Sequence, residues 1–200
     1  ALLDIHFGTY PFVTSSETTV AGVFSGTGLS HHALQQVIGI TKAYATRVGE
    51  GPFPTELAGD AAEALRERGG EYGATTGRPR RVGWLDLPAL RFAVEVNGVD
   101  RLFLTKLDVL DGLAEIPVAT EYRDARGKTV GFSPLPDRLS SVTPVWRTLP
   151  GWREPAAGCR DFNKLPGAAR HYISFIEDFV GVPVGTVSTG ATRADTIVRS

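Results

Sequence analysis

Leu102-Phe103-Leu104-Thr105-Lys106-Leu107-Asp108 joins a short apolar run to a polar turn. The apolar part is typical of a buried strand, and the polar residues begin where that strand should end. Later in the chain, Val184-Gly185-Thr186-Val187 runs in the same way into Ser188-Thr189-Gly190. In open α/β sheets, ligands bind beyond the carboxyl ends of the strands. The two stretches therefore predict an α/β fold with a binding site where its strands end.

The sequence around these strands predicts further helices and strands. Apolar periodicity and capping residues, including Asp86 as an N-cap, predict helices over residues 33–45, 61–68, 85–96 and 168–180. Additional strands are expected at residues 2–5, 142–149 and 196–198, with a hairpin formed by residues 116–122 and 128–132. No repeat or linker is evident. We expect one α/β unit over residues 1–200, with a mainly parallel central sheet flanked by helices and a small antiparallel hairpin portion.

The stretch from Gly70 to Trp84 is the clearest candidate for chemistry. It reads Gly-Glu-Tyr-Gly-Ala-Thr-Thr-Gly-Arg-Pro-Arg-Arg-Val-Gly-Trp, which predicts a loop because glycine permits φ > 0 and close backbone approach. Backbone N–H groups, hydroxyls and guanidinium forks can together hold carboxylate or phosphate oxygens. The polar contacts of such an anion-binding loop would be Thr75, Thr76, Arg78 and Arg80. The alternative is a basic surface turn that keeps the protein soluble.

The turn after residue 105 carries groups suited to a purine base. The carboxylate of Asp108 can accept hydrogen bonds from N1–H and the 2-amino group of guanine, whereas adenine offers no such pair of donors. The stem of Lys106 can lie along the purine face, and backbone groups at Ser188 to Gly190 can complete the pocket. The alternative is an ordinary surface turn, in which Lys and Asp are common.

Composition excludes several classes of protein. The 200 residues are 42% hydrophobic and 22% charged, as in an ordinary globular domain. The net charge of −1 argues against a dedicated nucleic-acid binder, and no apolar run is long enough to cross a bilayer. The single Cys159 fits a reducing cytoplasm, and His31 and His32 have no metal-ligand partners at suitable spacing. The chain has no methionine and opens on strand-like residues, so we expect a piece of a longer protein.

Taken together, these motifs resemble the adenylosuccinate synthetase family, and the likeness runs essentially from end to end. It is carried by Leu2-Leu3-Asp4-Ile5, Gly8-Thr9-Tyr10-Pro11-Phe12-Val13-Thr14-Ser15-Ser16, Gly51-Pro52-Phe53-Pro54-Thr55-Glu56, Gly73-Ala74-Thr75-Thr76-Gly77-Arg78, Gly83-Trp84-Leu85-Asp86, Leu104-Thr105-Lys106-Leu107-Asp108-Val109-Leu110-Asp111, Leu149-Pro150-Gly151-Trp152 and Ser188-Thr189-Gly190. So many ordered matches make coincidence an unsatisfactory explanation. The resemblance is to the carboxyl-terminal half of the family.

The resemblance implies a role for each matching position. Inosine monophosphate (IMP) would contact Thr14 and Arg78. The aspartate-binding residues would be Val48, Ala74, Thr75, Thr76, Gly77, Arg78, Pro79 and Arg80. The GTP-binding residues would be Arg80, Lys106, Leu107, Asp108, Ser188, Thr189 and Gly190.

The implied activity is ligation of IMP and L-aspartate to adenylosuccinate, the first committed step of AMP synthesis, driven by GTP with Mg²⁺. GTP phosphorylates the 6-oxygen of IMP, and the amine of aspartate then displaces phosphate. Family members are cytoplasmic homodimers in which one nucleotide contact crosses between subunits; no nucleic acid or membrane is involved.

The resemblance implies that the catalytic groups lie in another part of the enzyme. Its glycine-rich phosphate loop, catalytic aspartate and catalytic histidine lie in the amino-terminal half, and no glycine-rich loop ending in Gly-Lys-Ser/Thr occurs here. We therefore expect no catalytic residue and no metal ligand in this chain, with the magnesium ligands in the missing half. The fold would be an incomplete version of the P-loop NTPase-like synthetase fold, inactive by itself.

Some positions depart from the family pattern. Glu17 replaces a usual asparagine, His6 an aspartate, and Ser30-His31-His32 a turn containing Gly-Pro. A carboxylate near a phosphate is unfavourable, so Glu17 either points away or alters nucleotide affinity. Two other hypotheses stay open: a non-catalytic guanine-nucleotide-binding fragment or regulatory module, and nucleic-acid binding through Arg78, Arg80 and Arg81, which the near-neutral charge makes poor.

Overall fold

The computed structural model describes residues 1–75 and 77–199. Its α-helices are α1 (Ala21–Thr27), α2 (Gly59–Gly69), α3 (Leu87–Asn97), α4 (Pro136–Ser140) and α5 (Gly167–Val180). Its strands are β1 (Ile38–Lys42), β2 (Ala45–Arg47), β3 (Arg81–Gly83), β4 (Leu85–Asp86), β5 (Arg101–Thr105), β6 (Glu115–Arg123), β7 (Thr129–Val130), β8 (Thr143–Pro150), β9 (Val184–Ser188) and β10 (Thr196–Val198). Short 3₁₀ turns cover His31–Ala33, Leu107–Leu110, Phe162–Lys164 and Arg193–Asp195.

The central sheet has the strand order β1-β5-β9-β10. The first three strands are parallel, and β10 is an antiparallel outer strand beside β9. The register pairs Lys42 with Thr105 and Leu104 with Val187, so β1, β5 and β9 end at the same edge of the sheet. The mainly parallel sheet and the shared edge predicted from the sequence are therefore confirmed.

The second sheet is built on the long strand β6. It pairs with β4 in parallel and with β7 and β8 in antiparallel fashion. The predicted hairpin is confirmed: Asp124 accepts hydrogen bonds from the N–H groups of Arg126 and Lys128, both at 2.9 Å, and closes the turn between β6 and β7. Gly127 adopts φ +77° in this turn.

One hydrophobic core joins the two sheets. Its buried side chains come from β5, β6 and α5, among others, and include Leu104, Ile116 and Ile176. Helix α5 is the longest helix of the described residues, and its Tyr172 hydroxyl donates to the carbonyl of Ala43 at 2.6 Å, inside the core. The helix thereby fixes the chain directly after β1.

The predicted helix over residues 33–45 is wrong. The residues form a 3₁₀ turn and then β1, which pairs in parallel with β5. Ile38, Gly39 and Ile40 suit a strand better than a helix, because branching at Cβ and the missing glycine side chain both disfavour helix. Pairing with β5 overrides the three- and four-residue spacing of the apolar residues.

The predicted strand at residues 2–5 is also wrong. The residues form turns organised by the fully buried carboxylate of Asp4. It accepts backbone hydrogen bonds from His6, Phe7, Thr18 and Thr19 at 2.6–3.0 Å. Burial by itself raises the pKa of Asp4, but the four N–H donors outweigh it and lower the pKa to about 2.

Three predicted helices are confirmed with small changes of boundary, as α2, α3 and α5. Asp86 is the N-cap of α3, as predicted, because its Oδ1 accepts from the N–H of Ala89 at 3.1 Å. Its Oδ2 accepts from the hydroxyl of Tyr122 at 2.6 Å, which ties the helix to β6. Burial outweighs both hydrogen bonds and raises the pKa of Asp86 to about 6.

Asp86 should make stability depend on pH. Between pH 4 and 6 the folded state binds a proton at Asp86 that the unfolded state has released, so stability falls as pH rises through this range. A rise of the pKa from 3.8 to about 6 corresponds to roughly 3 kcal/mol. We expect Asp86→Asn to flatten the pH dependence of the thermal midpoint between pH 4 and 6. Identical pH profiles for the two proteins would contradict the assignment.

Candidate anion and nucleotide site

The anion loop, residues 70–80, is the tip of a hairpin that leads into β3. Tyr72 bridges to Pro79, Gly73 N–H donates to the carbonyl of Arg78 at 2.9 Å, and Arg80 N–H donates to the carbonyl of Glu71 at 2.9 Å. Gly77 has φ +63°, the left-handed conformation that favours glycine. The predicted loop is confirmed for the described residues between 70 and 80, whereas Arg81–Gly83, also predicted as loop, form β3. Ala74, Thr75, Gly77, Arg78 and Pro79 are exposed on the loop. Thr76 lies outside the described residues.

A buried carboxylate lies at the base of this loop. The side chain of Glu71 is 1% exposed. Its Oε1 accepts from Lys42 Nζ at 2.7 Å and from the Tyr44 hydroxyl at 2.6 Å, while its Oε2 accepts from Arg80 Nη1 at 2.9 Å. We call these four residues the Glu71 cluster; it connects the end of β1 to the anion loop.

The charge state of the Glu71 cluster follows from its contacts. Burial by itself raises the pKa of Glu71, but the hydrogen bonds from Lys42, Tyr44 and Arg80 outweigh it and hold the pKa below its ordinary value. Glu71 is therefore ionised at neutral pH. Burial also lowers the pKa of Lys42, an effect that the bond to Glu71 opposes. A buried carboxylate with two cationic partners leaves a net positive charge at the base of the loop.

Lys106 joins the strand-end turn to the end of α2, directly before the anion loop. Its Nζ donates to the carbonyl of Gly69 at 2.7 Å, two residues before Glu71. Lys106 has φ +64°, a strained value for a residue with a side chain, and strain of this kind often occurs at binding sites. Gly69 itself must be a glycine, because an added Cβ would collide with the Tyr44 hydroxyl. The structure therefore brings the anion loop and the predicted guanine turn to one edge of the sheet.

Asp108 lies in the 3₁₀ turn that follows Lys106. Within residues 1–75 and 77–199, no other side chain donates a hydrogen bond to its carboxylate, which is half-buried. Burial is the main cause of its raised pKa, and the neighbouring carboxylates of Asp111 and Asp195 act in the same direction. Asp108 thus has acceptor capacity that this part of the protein does not use. Leu107, between Lys106 and Asp108, is fully buried in the core.

The Ser188–Gly190 turn follows β9 at the same edge. The hydroxyl of Thr189 is buried and donates towards the carbonyls of Cys159 and Asp195, at 2.7 and 3.1 Å. The hydroxyl of Ser188 donates to the carbonyl of Gly190 at 2.8 Å, and an added Cβ at Gly190 would clash with Asp195. Both hydroxyls of this turn are thus bonded within the protein, and β9, which leads into it, contacts the 3₁₀ turn that carries Asp108.

Val48 and Thr14 come from two other segments of the chain. Val48 is exposed directly after β2, and β2 pairs with β3 so that Arg47 faces Arg81. Thr14 is exposed, and its hydroxyl donates to the carbonyl of Leu3 at 2.9 Å. The amino-terminal segment that carries Thr14 is held to β2 by the buried Arg47, which donates to the carbonyl of Phe12 at 3.1 Å.

Two residues that depart from the family pattern contact each other. His6 Nε2 lies 3.2 Å from Glu17 Oε1, and Glu17 also accepts from the hydroxyl of Ser25. Both hydrogen bonds lower the pKa of Glu17, and the bond from Ser25 has the larger effect. The carboxylate of Glu17 is therefore engaged by its own neighbours.

A cleft of about 450 Å³ opens between the amino-terminal segment and the strands β1, β2 and β4. It is lined by residues such as Leu3, Lys42, Arg47 and Asp86, and by none of the residues predicted to bind substrates. Lys106 to Asp108 and Ser188 to Gly190 instead follow β5 and β9, where these strands of the central sheet end. We place the candidate site at that edge, because the cations and the available carboxylate are there.

Three further observations concern metal ligands, membrane spans and a phosphate loop. Among the described residues, no group of three or more His, Cys, Asp or Glu side chains is arranged to hold a metal ion. Within the same residues, no helix combines the length and apolarity needed to span a bilayer. Gly127-Lys128-Thr129 has a tyrosine where a phosphate loop needs its first glycine, and it forms the β6–β7 turn.

The fold and the site define an α/β protein with cations, an available carboxylate and a backbone turn at the carboxyl ends of parallel strands. The family profile described as adenylosuccinate synthetase matches residues 1–197. The chain belongs to the adenylosuccinate synthetase family.

Particular relatives support this membership. The chain is 52% identical over 197 residues to the adenylosuccinate synthetase of Salinibacter ruber and 53% identical over 198 residues to that of Sorangium cellulosum; the matches cover 98% and 99% of the chain. The fully ligated adenylosuccinate synthetase from Plasmodium falciparum superimposes with a TM-score of 0.97 at 45% identity over the whole chain. A cyanophage succinoaminodeoxyadenylate synthetase shares the fold at 20% identity with a TM-score of 0.59.

The chain spans less than half of its relatives. It covers 45% and 46% of the two bacterial proteins and 48% of the Plasmodium chain. These matches show the family but do not support the expectation that the chain is the carboxyl-terminal half. The expected position of the magnesium ligands in a missing amino-terminal half depended on that assignment and has no support either.

Sequence reasoning missed the Glu71 cluster. Glu71 was visible as a carboxylate beside the arginines of the loop, yet nothing in the spacing showed that it is buried. Lys42 and Tyr44 were not recognised as site residues, because both lie within the wrongly predicted helix over residues 33–45. Reading the run from Ile38 to Thr41 as a strand would have placed Lys42 at a strand end, which is the signal that identified Lys106.

Loss of the Thr189 hydroxyl should loosen the Ser188–Gly190 turn. Thr189→Val removes the donor to two carbonyls at a buried position, so we expect a loss of about 1–3 kcal/mol in the free energy of unfolding. Thr186→Val, on β9, is the matched control and should change stability by less than about 0.5 kcal/mol. Chemical denaturation measures both variants. Equal effects would show that the turn does not depend on this hydroxyl.

Proposed function

We propose that this chain supplies the aspartate-binding loop and the guanine-recognition turn of an enzyme that joins IMP and L-aspartate to form adenylosuccinate, using GTP. The observation that carries the proposal is the meeting of two separate sequence motifs at one sheet edge, through the bond from Lys106 to the carbonyl of Gly69 and through the Glu71 cluster. Family membership supports it independently.

Each substrate has chemically suitable groups at this edge. Arg78, Arg80 and the loop backbone, with Thr75, Thr76, Ala74, Gly77 and Pro79, would hold the two carboxylates of aspartate, with Val48 alongside. Asp108 would accept from N1–H and the 2-amino group of guanine, with Lys106 along the base, Leu107 beneath the turn and Ser188, Thr189 and Gly190 completing the pocket. Thr14 would contact the phosphate of IMP, Arg78 its ribose, and Arg80 would also reach towards GTP.

The chemistry at such a site depends on positioning and charge. Phosphoryl transfer from GTP to the 6-oxygen of IMP would spread negative charge over the transferring oxygens, which cationic side chains would stabilise. Displacement of that phosphate requires the amine of aspartate to face C6. Arginines that hold both carboxylates of aspartate orient the amine and so reduce the entropic cost of the attack.

The complete enzyme would be a cytoplasmic homodimer that acts on small molecules, without nucleic acid or membrane. We propose that the 200 residues do not turn over alone, since they contain no phosphate loop of the Gly-x₄-Gly-Lys-Ser/Thr type. A non-catalytic guanine-nucleotide-binding module would use the same turn but would show no dependence on aspartate or IMP in the full-length protein.

The guanine assignment is tested by Asp108→Asn in the full-length enzyme. An asparagine amide would still accept from N1–H but would meet the 2-amino donor of guanine with its own donor, whereas xanthine presents an acceptor there. We expect kcat/KM to fall at least tenfold with GTP and to rise with xanthosine triphosphate. Asp100→Asn, at the opposite end of β5, is the matched control and should not alter the preference. An unchanged nucleotide preference in Asp108→Asn would reject the assignment.

The aspartate assignment is tested by Arg78→Leu. Loss of a charge-assisted partner for a carboxylate typically costs about 1.5–3 kcal/mol, so the KM for aspartate should rise roughly ten- to a hundredfold. Arg126→Leu, on the exposed β6–β7 turn, provides the control for loss of a surface arginine. Steady-state kinetics with each substrate varied in turn decides the matter; an increase limited to the KM for GTP would contradict the assignment.

A further inference from the structure

Glu71 is not among the residues that the family resemblance assigns to binding, yet it contacts one of them. We propose that Glu71 is a positioning residue: it fixes the guanidinium of Arg80 at the base of the anion loop so that Arg80 meets a carboxylate of aspartate. This inference rests on the proposed function, because it takes aspartate as the ligand of the loop.

The contacts hold Arg80 at both its backbone and its side chain. The N–H of Arg80 donates to the carbonyl of Glu71 and its Nη1 donates to Oε2 of the same residue, both at 2.9 Å. Its carbonyl accepts from Arg66 Nε at 3.0 Å. A guanidinium carries five N–H donors in a rigid fork, so a bond at Nη1 fixes its plane while other donors can still face an anion.

Charge explains why this position needs a carboxylate. Lys42 and Arg80 each form an ion pair with one oxygen of the Glu71 carboxylate. The positive charges of Arg80 and Lys106 also repel the charge of Lys42. Without the negative charge the cations would repel one another, and the partly exposed Arg80 could relieve the repulsion by turning into solvent. The carboxylate therefore keeps Arg80 near the other cations, where an anionic substrate gains most.

Glu71 is also a poor competitor for the ligand. Its side chain is 1% exposed and its oxygens already accept from Lys42, Tyr44 and Arg80. An incoming carboxylate would therefore approach the exposed side of Arg80, and the buried pair would stay in place. The ion pair between Glu71 and Arg80 is therefore present both before and after the substrate binds.

The test is Glu71→Gln in the full-length enzyme, which keeps the shape of the side chain and removes its charge. We expect the KM for aspartate to rise at least tenfold, while the KM for IMP stays within about twofold and kcat falls by less than the KM rises. The matched control is Glu177→Gln: Glu177 also accepts from an arginine, Arg199, at 2.5 Å, and it accepts from the N–H that begins β9 at the opposite edge of the sheet. That control should leave the KM for aspartate unchanged even where it lowers the thermal midpoint.

Two outcomes would overturn the inference: an unchanged KM for aspartate in folded Glu71→Gln, or equal increases of all three KM values. If Glu71→Gln does not fold, Glu71→Asp decides, because it keeps the charge and withdraws it from Arg80 by one methylene. It should raise the KM for aspartate more than the KM for GTP and leave the KM for IMP unchanged. Arg80→Leu separates this inference from the proposed function. If Arg80→Leu raises that KM and the Glu71 variants do not, only the positioning role fails. If Arg80→Leu and Arg78→Leu both leave it unchanged, the aspartate loop itself is wrongly assigned.

Discussion

The buried carboxylate of Glu71 is the interaction on which the geometry of the site depends. It lies between the end of β1 and the base of the anion loop, and it holds a lysine, a tyrosine and an arginine from these two segments. Removing one partner of a buried, hydrogen-bonded charge pair is far more costly than removing an exposed pair, since the remaining charge loses both its partner and its water. The contact between His6 and Glu17, which is much more exposed, has no comparable hold on the structure.

The parallel sheet explains why distant segments meet at this point. Parallel strands in register end at one edge, so residues 42, 105 and 188 are neighbours although 146 positions separate the first from the last. In the sequence, the end of such a strand is marked by an apolar run that passes directly into polar residues, as at Thr105–Lys106 and at Val187–Ser188. This pattern was sufficient to predict the fold class and two of the segments at the candidate site.

The parts that sequence reasoning missed have a common physical cause. The strand β1 lies at one side of the central sheet and exposes its large apolar residues Ile38 and Ile40, so these residues do not mark a buried face. The apolar spacing of the surrounding segment imitates a helix. The amino-terminal segment looks apolar but turns around Asp4, whose four backbone partners cannot be inferred from spacing. Glu71 is a charged residue, and two of the three partners that satisfy it in the interior, Lys42 and Tyr44, come from a distant segment. In each case tertiary contacts decide the local structure, and a local pattern cannot contain them.

The two carboxylates at this edge differ in how far the protein satisfies them, and that difference separates their roles. Glu71 is surrounded by donors, which hold its pKa below the ordinary value against the effect of burial. Asp108 is half-buried with its pKa raised, so the protein has removed part of its water without providing an equivalent set of donors. A carboxylate in the first situation organises its neighbours, and its bonding capacity is used. A carboxylate in the second gains free energy when a ligand brings two N–H donors, which is what the edge of a guanine base offers.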